Sequence, residues 1–223
     1  MRKLCLAVIL VVPAARAQSL DPLIADPQHY HLEVENRWVR AIREHMGPNE
    51  KMPMHQHPAS VLVFLTDYHQ KVTGADGKVQ EITRKAGDVS YIEALKHSEE
   101  NLSDQPLEAV VIELKPRPAD FKPAAITLDP VKLDPKHHLV PFENDRVRVL
   151  RTILEPHLKS PMHEHPHYVV VYLTELHTTM KLGDGKVIDN PRRPGEIAWR
   201  DALKHVTENI GDRTAMEIQV ELK

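Results

Sequence analysis

Short runs of apolar residues recur along the chain at intervals that suit β-strands. Residues 61–65 and 169–173 are almost entirely aliphatic or aromatic, which is typical of strands that are buried on both faces. Residues 39–42, 89–92 and 109–114 are further strand candidates, and Asp-Gly pairs mark hairpin turns. No segment follows a helical period for more than about two turns. We therefore predict an all-β fold, a sandwich or barrel of short strands.

The strand pattern occurs twice, because the chain contains a long internal repeat. Residues 26–115 align with residues 134–223 without a gap, at an offset of 108, and 36 of the 90 aligned positions are identical. A duplication of this length predicts two tandem domains rather than a short-period solenoid. The residues between the copies are rich in proline, which is typical of an extended connector. We predict a first domain over residues 20–117, a linker over 118–124 and a second domain over 125–223.

The first residues have the composition of a secretory signal peptide. Basic residues at positions 2 and 3 precede an apolar run over 4–13, and Ala15-Arg16-Ala17 fits a cleavage site. The apolar run is too short to span a bilayer as a helix. We therefore predict a signal peptide over residues 1–17 and a periplasmic or secreted mature protein. Cleavage would remove Cys5, the only cysteine, so the mature chain would contain no disulfide.

Histidine is unusually frequent, with 15 residues, and three histidines recur at equivalent positions in both copies. His55 and His57 are two residues apart, so in an extended strand both imidazoles leave the same face. A third histidine follows 42 residues after the first in each copy. Three imidazoles brought together form a metal site that leaves coordination positions open. The predicted metal ligands are His55, His57, His97, His163, His165 and His205.

The spacing of these residues resembles the two signature motifs of the cupin superfamily. Gly47 lies eight residues before His55, and Gly87, His97 and Asn101 have the spacing of the second motif. The resemblance covers both copies, so the chain resembles a bicupin. It implies two tandem double-stranded β-helix barrels, which are small jelly rolls, each with a metal ion inside.

Both copies depart from the cupin pattern at one ligand. The first cupin motif usually carries a Glu four or five residues after its second histidine. The corresponding residues here are Val61 and Leu62 in the first copy and Val169 and Val170 in the second. The first-motif glycine is also replaced in the second copy, by Glu155. The departures imply three-His sites, as in thiol dioxygenase-like cupins, and argue against an oxalate oxidase-like or phosphoisomerase-like activity.

Other polar residues of the two copies have weaker claims to a functional role. Asn101 and Asn209 are candidates for supporting residues that fix the tautomer of the last histidine or cap a bend. His167 extends the second His-x-His pair, and either a fourth ligand or a residue at the rim is compatible with its position. His69 and His177 are a duplicated pair that we expect in loops. No catalytic residue is assigned from the sequence.

Charge and motif content exclude some functions and leave others open. The formal net charge is −3 without a basic block, so nucleic acid is not an expected partner. No nucleophile motif or phosphate-binding loop is present. The metal sites favour an oxygenase-type enzyme acting on a small organic molecule, but a non-catalytic metal or small-ligand binding protein and a purely structural metal remain alternatives. We expect up to two divalent transition-metal ions per chain (Fe, Mn, Cu, Ni or Zn) and a small-molecule ligand or substrate. We expect no transmembrane segment. The sequence is compatible with a homodimer but does not determine the oligomeric state.

Overall fold

The protein is all-β in the computed structural model, which describes residues 19–223. Within these residues there are eighteen strands and two four-residue helices, α1 (Pro22–Ala25) and α2 (Pro130–Leu133). Each short helix begins after an Asp whose carboxylate accepts a hydrogen bond from a backbone N–H of the first turn. No helix in this part of the chain is long and apolar enough to cross a membrane. The predicted signal peptide over residues 1–17 lies outside the described residues.

Nine antiparallel strands of the first half form two sheets. They are β1 (Tyr30–Glu35), β2 (Val39–Met46), β3 (Lys51–His57), β4 (Ser60–Phe64), β5 (Tyr68–Gly74), β6 (Val79–Arg84), β7 (Val89–Ile92), β8 (Leu95–Asn101) and β9 (Leu107–Leu114). One sheet has the order β1-β2-β9-β4-β7 and the other the order β3-β8-β5-β6. Side chains from both sheets meet in one apolar cluster, so the sheets enclose a jelly-roll barrel.

The second half repeats this architecture strand for strand. Its strands are β10 (His138–Glu143), β11 (Val147–Leu154), β12 (His163–His165), β13 (Tyr168–Tyr172), β14 (Leu176–Leu182), β15 (Val187–Arg192), β16 (Ile197–Arg200), β17 (Leu203–Asn209) and β18 (Ala215–Leu222). The sheet orders are β10-β11-β18-β13-β16 and β12-β17-β14-β15, which match those of the first half. The prediction of two tandem all-β barrels is confirmed.

The structural repeat begins earlier than the sequence alignment suggested. Helices α1 and α2 are equivalent at the offset of 108, and each is preceded by a residue that pairs with the first histidine-bearing strand. The backbone N–H of Gln56 donates to the carbonyl oxygen of Leu20 at 2.8 Å, and that of Glu164 donates to Leu128 at 2.9 Å. Each barrel therefore starts with an arm that holds the edge of β3 or β12.

Residues 19–223 form three apolar cores, one inside each barrel and one between the barrels. Alternate side chains of the central strands β9 and β18 belong to different cores. On β9, Leu107 and Ala109 point into the first barrel, whereas Val110, Ile112 and Leu114 lie in a core between the barrels. Strand β18 alternates in the same way, so its other face points into the second barrel. Because successive side chains point to opposite faces, one strand serves the interior of its barrel and the inter-barrel contact at once.

Two reciprocal hydrogen bonds show that the barrels are related by an approximate two-fold axis. The guanidinium of Arg43 donates to the carbonyl oxygen of Gly195, and that of Arg151 donates to Gly87, each at 2.6 Å. The two arginines are equivalent at the offset of 108, as are the two glycines. The φ angles of Gly87 and Gly195 are +86° and +81°, a backbone conformation that residues with a side chain disfavour. Such a reciprocal contact is the pattern of an isologous interface, here formed within one chain.

The proline-rich connector is held against the barrels rather than free. Phe121 packs on the inter-barrel core, and Asp120 forms an ion pair with Arg37 at 2.5 Å. Arg117 donates a hydrogen bond of 2.9 Å to the carbonyl oxygen of Asp145 in the second barrel. These contacts fasten the connector to both halves.

Candidate metal centres

The first centre consists of His55, His57 and His97, which the fold brings together inside the first barrel. Strands β3 and β8 are antiparallel neighbours, and their register places His55 opposite His97. The ring centroids of His55 and His97 are 4.5 Å apart, and those of His55 and His57 are 5.0 Å apart. All three side chains are buried, and one nitrogen from each lies within 4.8 Å of the others.

The second centre consists of His163, His165 and His205 and repeats this geometry on β12 and β17. His163 lies opposite His205, and their ring centroids are 4.5 Å apart. The Nε2 atoms of these two rings are separated by 2.9 Å. Two nitrogens that lie about 2.1 Å from one ion at a right angle are about 3 Å apart, so the spacing fits a shared metal.

A backbone carbonyl group fixes the orientation of the first histidine in each centre. Nδ1 of His55 donates to the carbonyl oxygen of Pro53, and Nδ1 of His163 donates to Pro161, each at 2.8 Å. A carbonyl oxygen only accepts, so each donating Nδ1 carries the proton. The neutral ring then presents its Nε2 lone pair to the centre, which is the form that binds a metal.

A buried carboxylate orients the second histidine of each centre. Nδ1 of His57 donates to Glu113 at 2.7 Å, and Arg40 donates to the other oxygen of Glu113 at 2.6 Å. Arg40 also forms an ion pair with Asp21 at 2.7 Å. A carboxylate behind a ligating imidazole fixes the ring and raises its basicity.

The same chain of contacts recurs in the second barrel. Nδ1 of His165 donates to Glu221 at 2.6 Å, Arg148 donates to Glu221 at 2.6 Å, and Arg148 pairs with Asp129 at 3.1 Å. Sequence analysis assigned no role to these residues. The available signal was the duplicated end of each copy, Glu-Leu-Lys, whose glutamate is the carboxylate found here.

Several buried nitrogens lack a protein partner, and they test whether a metal suits these sites. Nε2 of His165 is buried without a hydrogen-bond partner among residues 19–223. Its Nδ1 is already used, so the free lone pair points into the second centre and suits an ion. In His97 and His205 it is the buried Nδ1 that has no partner in this part of the chain. The three-imidazole donor sets therefore fit a divalent transition metal.

Burial favours the metal-binding, neutral form of several imidazoles in the two centres. Burial lowers the pKa of His55 to about 4. Burial, followed by the neighbouring imidazoles, holds the pKa of His165 and of His205 well below the usual value, and the charge of Arg200 adds to the effect on His205. Because a protonated imidazole cannot bind a metal, the lowered pKa values favour ligation at neutral pH.

A carboxylate that the sequence analysis missed stands beside the first centre. Glu99 Oε1 lies 3.1 Å from Nε2 of His97, and Oε2 lies 3.9 Å from Nε2 of His55. Burial raises the pKa of Glu99, but the hydrogen bond and charge of His97 outweigh it and hold the pKa below the usual range. The usual first-motif Glu is absent, as predicted, yet Glu99 reaches the same centre from β8. Its position two residues after His97 on a strand was the signal, because such residues share a face.

Tyrosine and glutamate side chains complete the surroundings of the first centre. The hydroxyl of Tyr30 lies 3.0 Å from Nε2 of His55 and donates to Glu99 at 3.2 Å. Deeper in the barrel, the hydroxyl of Tyr68 donates a short hydrogen bond to Glu44. Burial and the charge of Glu99 raise the pKa of Glu44 well above its usual value, which favours its protonated form.

The second centre has different neighbours at the equivalent positions. His138 stands where the first barrel has Tyr30, and its ring centroid is 5.1 Å from that of His163. Burial and the neighbouring His163 lower the pKa of His138 to about 4, so this fourth imidazole is also neutral. Thr207 stands where the first barrel has Glu99. His138 escaped the sequence analysis because it is not duplicated.

The first centre faces an apolar cavity of about 50 Å³ inside its barrel. His57, His97 and Glu99 form one side of this cavity, and aliphatic and aromatic side chains form most of the remainder. The apolar wall consists of Leu62, Phe64, Val72, Ile82, Ile92, Leu95 and Val111. A cavity of this volume leaves room beside a bound ion only for a small part of a ligand.

The candidate asparagines lie outside both centres. Asn101 donates to the carbonyl oxygens of Gly47 and Gln105 at 2.9 and 2.8 Å, and Asn209 holds the equivalent loop of the second barrel. Both amides fasten loops and form no hydrogen bond with a histidine of a centre. Neither asparagine fixes the tautomer of the last histidine, because the Nδ1 atoms of His97 and His205 have no hydrogen-bond partner among residues 19–223.

The duplicated pair His69 and His177 also lies outside the centres. The expectation of a loop position was wrong, because His69 lies on β5 and His177 on β14. Both side chains are exposed, and they pair with acidic residues on the neighbouring strands β6 and β15. Strand alternation turns them to solvent, away from the barrel interior.

His167 lies in the inter-barrel contact rather than in the second centre. Its ring stacks on Trp38 of the first barrel at 4.7 Å and on Trp199 at 5.6 Å, and the two tryptophans stack at 5.2 Å. Pro166 ends β12 before this residue and turns the chain outward. The third histidine of the His-x-His-x-His run therefore contributes to the contact between barrels.

Solved structures of other proteins share this architecture. AerE from Microcystis aeruginosa has a TM-score of 0.63 at 14% identity, over 88% of this chain and 93% of that chain. A mutant of salicylate 1,2-dioxygenase from Pseudoaminobacter salicylatoxidans has a TM-score of 0.60 at 9% identity, over 91% and 78%. A cupin 2 conserved barrel domain protein from Leptotrichia buccalis has a TM-score of 0.54 at 11% identity, over 87% and 88%. Comparison with protein-family models and with curated proteins gave no match.

The chain has the bicupin fold. The likeness covers both barrels, and each barrel contains one of the two histidine triads. At these low identities the likeness establishes the architecture, whereas the donor sets come from this chain's own residues. The bicupin thus combines two centres whose fold and imidazole ligands agree but whose neighbouring residues differ.

Proposed function

We propose that this bicupin is an exported, metal-dependent enzyme of the oxygenase type that acts on a small organic molecule. The observation that carries the proposal is the pair of buried histidine triads, each with its nitrogens converging on one point in a barrel. Structural likeness to a protein named as salicylate 1,2-dioxygenase supports the proposed reaction class.

The two barrels would hold one divalent ion each, with different ligand sets. In the first barrel, His55, His57 and His97 are the ligands and Glu99 is placed to be the fourth. In the second barrel the three histidines are the ligands, because Thr207 provides no carboxylate. Imidazole suits Fe, Cu, Ni and Zn, and an added carboxylate also suits Mn. When bound, such an ion supplies activation of O2 or polarisation of a substrate oxygen.

The residues of the first barrel supply binding, water exclusion and a proton donor. The apolar wall of the cavity receives an uncharged part of a ligand and keeps water from the centre. Glu44 borders the same cavity, and its protonated form, which its raised pKa favours, can donate a hydrogen bond to a ligand oxygen. Tyr30 holds the carboxylate of Glu99 toward the histidines through its hydroxyl.

Metal analysis of the purified mature protein, combined with absorption spectra without and with O2, tests this function. We expect two ions per chain after loading under reducing conditions, and spectral changes when O2 is added to the Fe(II) form. A wild-type chain that binds no ion under these conditions would overturn the proposal. Two bound ions without any response to O2 would replace it with a non-catalytic metal or small-ligand binding protein.

Export is proposed from the sequence alone, since residues 1–17 lie outside the described part of the chain. A basic start, an apolar run and the Ala15-Arg16-Ala17 site support cleavage by a signal peptidase. N-terminal sequencing of native protein should find a start at Gln18 or Ser19. Replacing Ala17 with Arg should block cleavage and retain the N-terminal residues. A native chain that still begins at Met1 would contradict export by this route.

A further inference from the structure

Arg200 is an unexpected residue inside the second barrel. On β16, Ala198 packs against the interior core of this barrel, and Arg200 is two residues further along the same strand. Residues two apart on a strand share a face, so Arg200 also projects into the barrel. The first barrel has Ile92 at the equivalent position, where it lines the apolar cavity. The fold therefore does not require a cation here.

The guanidinium of Arg200 has only neutral partners. It donates to the hydroxyl of Tyr172 at 3.3 Å and to the side-chain oxygen of Asn190 at 3.1 Å. Within residues 19–223, no carboxylate oxygen lies within 4.0 Å of it. A guanidinium carries five N–H donors, so donors remain for a further acceptor. A partly buried cation without a counter-charge is costly, and an anionic ligand would offset that cost.

The charge of Glu217, an acidic residue that acts on Arg200, offsets this cation only in part at neutral pH. Glu217 also faces the barrel interior, where Gln219 donates to it at 2.7 Å. Burial raises the pKa of Glu217 to about 7, although the charge of Arg200 opposes the shift. A substantial fraction of Glu217 is therefore uncharged at pH 7, and the cation remains available.

Arg200 is connected to the second centre through Tyr168. It stands opposite Tyr168 in the register of β13 and β16, and the ring of Tyr168 is 5.1 Å from that of His165. The positive charge of Arg200 also acts on His205. A ligand that reaches the open side of the centre would therefore meet a cation that the first barrel lacks.

We propose that Arg200, positioned by Tyr172 and Asn190, binds the carboxylate of a small acidic ligand at the second metal centre. The first barrel, with Ile92 in this place and Glu99 beside its centre, takes uncharged ligands instead. Guanidinium and carboxylate are matched in charge and in planar geometry, which makes Arg the usual partner for this group. The proposal rests on the proposed function, because it takes the second histidine triad as a metal centre.

Calorimetric titration with glycolate and its neutral analogue glycolamide tests the role of Arg200. The starting protein is the His55→Ala variant, whose metal uptake is confined to the second barrel, loaded with Co(II) and also metal-free. Glycolate should bind at least about tenfold more tightly than glycolamide, since only the carboxylate brings a negative charge and two oxygens to the guanidinium. Arg200→Gln and Arg200→Ile, the latter copying the first barrel, should abolish this preference and weaken glycolate binding far more than glycolamide binding. Arg192→Gln is the matched control, because Arg192 also contacts Asn190 but pairs with Glu196 near the surface.

The possible outcomes separate the two proposals. A glycolate preference that survives in both Arg200 variants would overturn the anion site, as would a preference lost equally in Arg192→Gln. Cobalt uptake is read independently from the absorption spectrum. Failure to take up cobalt would refute the metal centre and with it the proposed function, while the metal-free titration still reports whether Arg200 binds the carboxylate. Circular dichroism of the two variants identifies any loss of fold.

Discussion

The two barrels differ most where they surround their metal centres. Both retain the histidine triad, and both retain a carboxylate and an arginine behind the second histidine. The neighbouring positions have diverged: Tyr30, Glu44, Ile92 and Glu99 of the first barrel correspond to His138, Thr152, Arg200 and Thr207 of the second. The first centre has an anionic side chain and an apolar cavity, whereas the second has a fourth imidazole and a cation nearby. A shared scaffold thus fixes the imidazoles, and a few neighbouring residues set the charge that a ligand meets.

The largest expected effect separates the two centres completely. His55→Ala should empty the first barrel and leave the second occupied, because each barrel supplies all of its own ligands. The bound metal, measured by elemental analysis after dialysis, should fall from two ions to one per chain. His163→Ala should give the converse result and serves as the matched variant. Retention of two ions by either variant would show that the triads are not the binding sites.

Ionisation of Glu217 should add a pH dependence to the stability of the second barrel. The usual pKa of 4.5 applies to the unfolded chain and about 7 to the folded one. Between these values the unfolded state releases a proton that the folded state retains, so the free energy of unfolding falls as pH rises, by at most about 3 kcal/mol. Glu217→Gln should remove this decline in denaturant unfolding from pH 5 to pH 8. Glu175→Gln, at an exposed residue, is the control, and an unchanged pH profile in Glu217→Gln would contradict the prediction.

Glu99 should strengthen metal binding in the first barrel only. Glu99→Gln should weaken metal affinity of the first centre by about 10- to 100-fold, the range for loss of a supporting carboxylate. Competition with a chelator measures this in the His163→Ala background, where only the first centre binds. The converse variant, Thr207→Glu in the His55→Ala background, should tighten the second centre. If Glu99→Gln bound metal as tightly as its parent, the carboxylate would have no part in ligation.

The smallest effect on stability and metal binding is expected at the duplicated histidines that lie outside the centres, His69 and His177. His69 and Glu81 form an exposed pair, and so do His177 and Asp189. His69→Ala and His177→Ala should change the free energy of unfolding by less than about 0.5 kcal/mol and leave two ions bound, because exposed ion pairs contribute little. A loss of metal in either variant would show that histidine number, rather than barrel position, determines binding.

Duplication made the fold and the histidine triads predictable. His55, His57 and His97 recur with identical spacing in a second copy that differs at most other positions, and short apolar runs indicated strands in both. These are local signals or comparisons within one chain, so they need no knowledge of which strands pair. The same comparison contained the clue to Glu113, but its partner His57 is 56 residues away and the contact is visible only once β3 and β9 face each other.

Comparison of the two copies could not identify functional residues that occur in only one copy. These residues are the ones that distinguish the two centres. Glu99, His138 and Arg200 each occupy a position where the other copy has a different residue, so repetition gave no reason to single them out. His167 shows the opposite error, since its regular spacing suggested a ligand while the chain turns it into the contact between barrels.

The amino-acid sequence alone was sufficient for the all-β class, the tandem arrangement and the six histidines, because apolar runs and the gap-free repeat are visible at neighbouring or equivalent positions. The barrels were implied by the resemblance to the cupin motifs. The charge around each centre depended on antiparallel register and barrel closure, which bring together side chains from strands far apart in the chain. Burial then shifted several pKa values, lowering those of His55, His165 and His205 and raising that of Glu44. Those effects arise from the surrounding protein atoms, so only the folded barrels could reveal them.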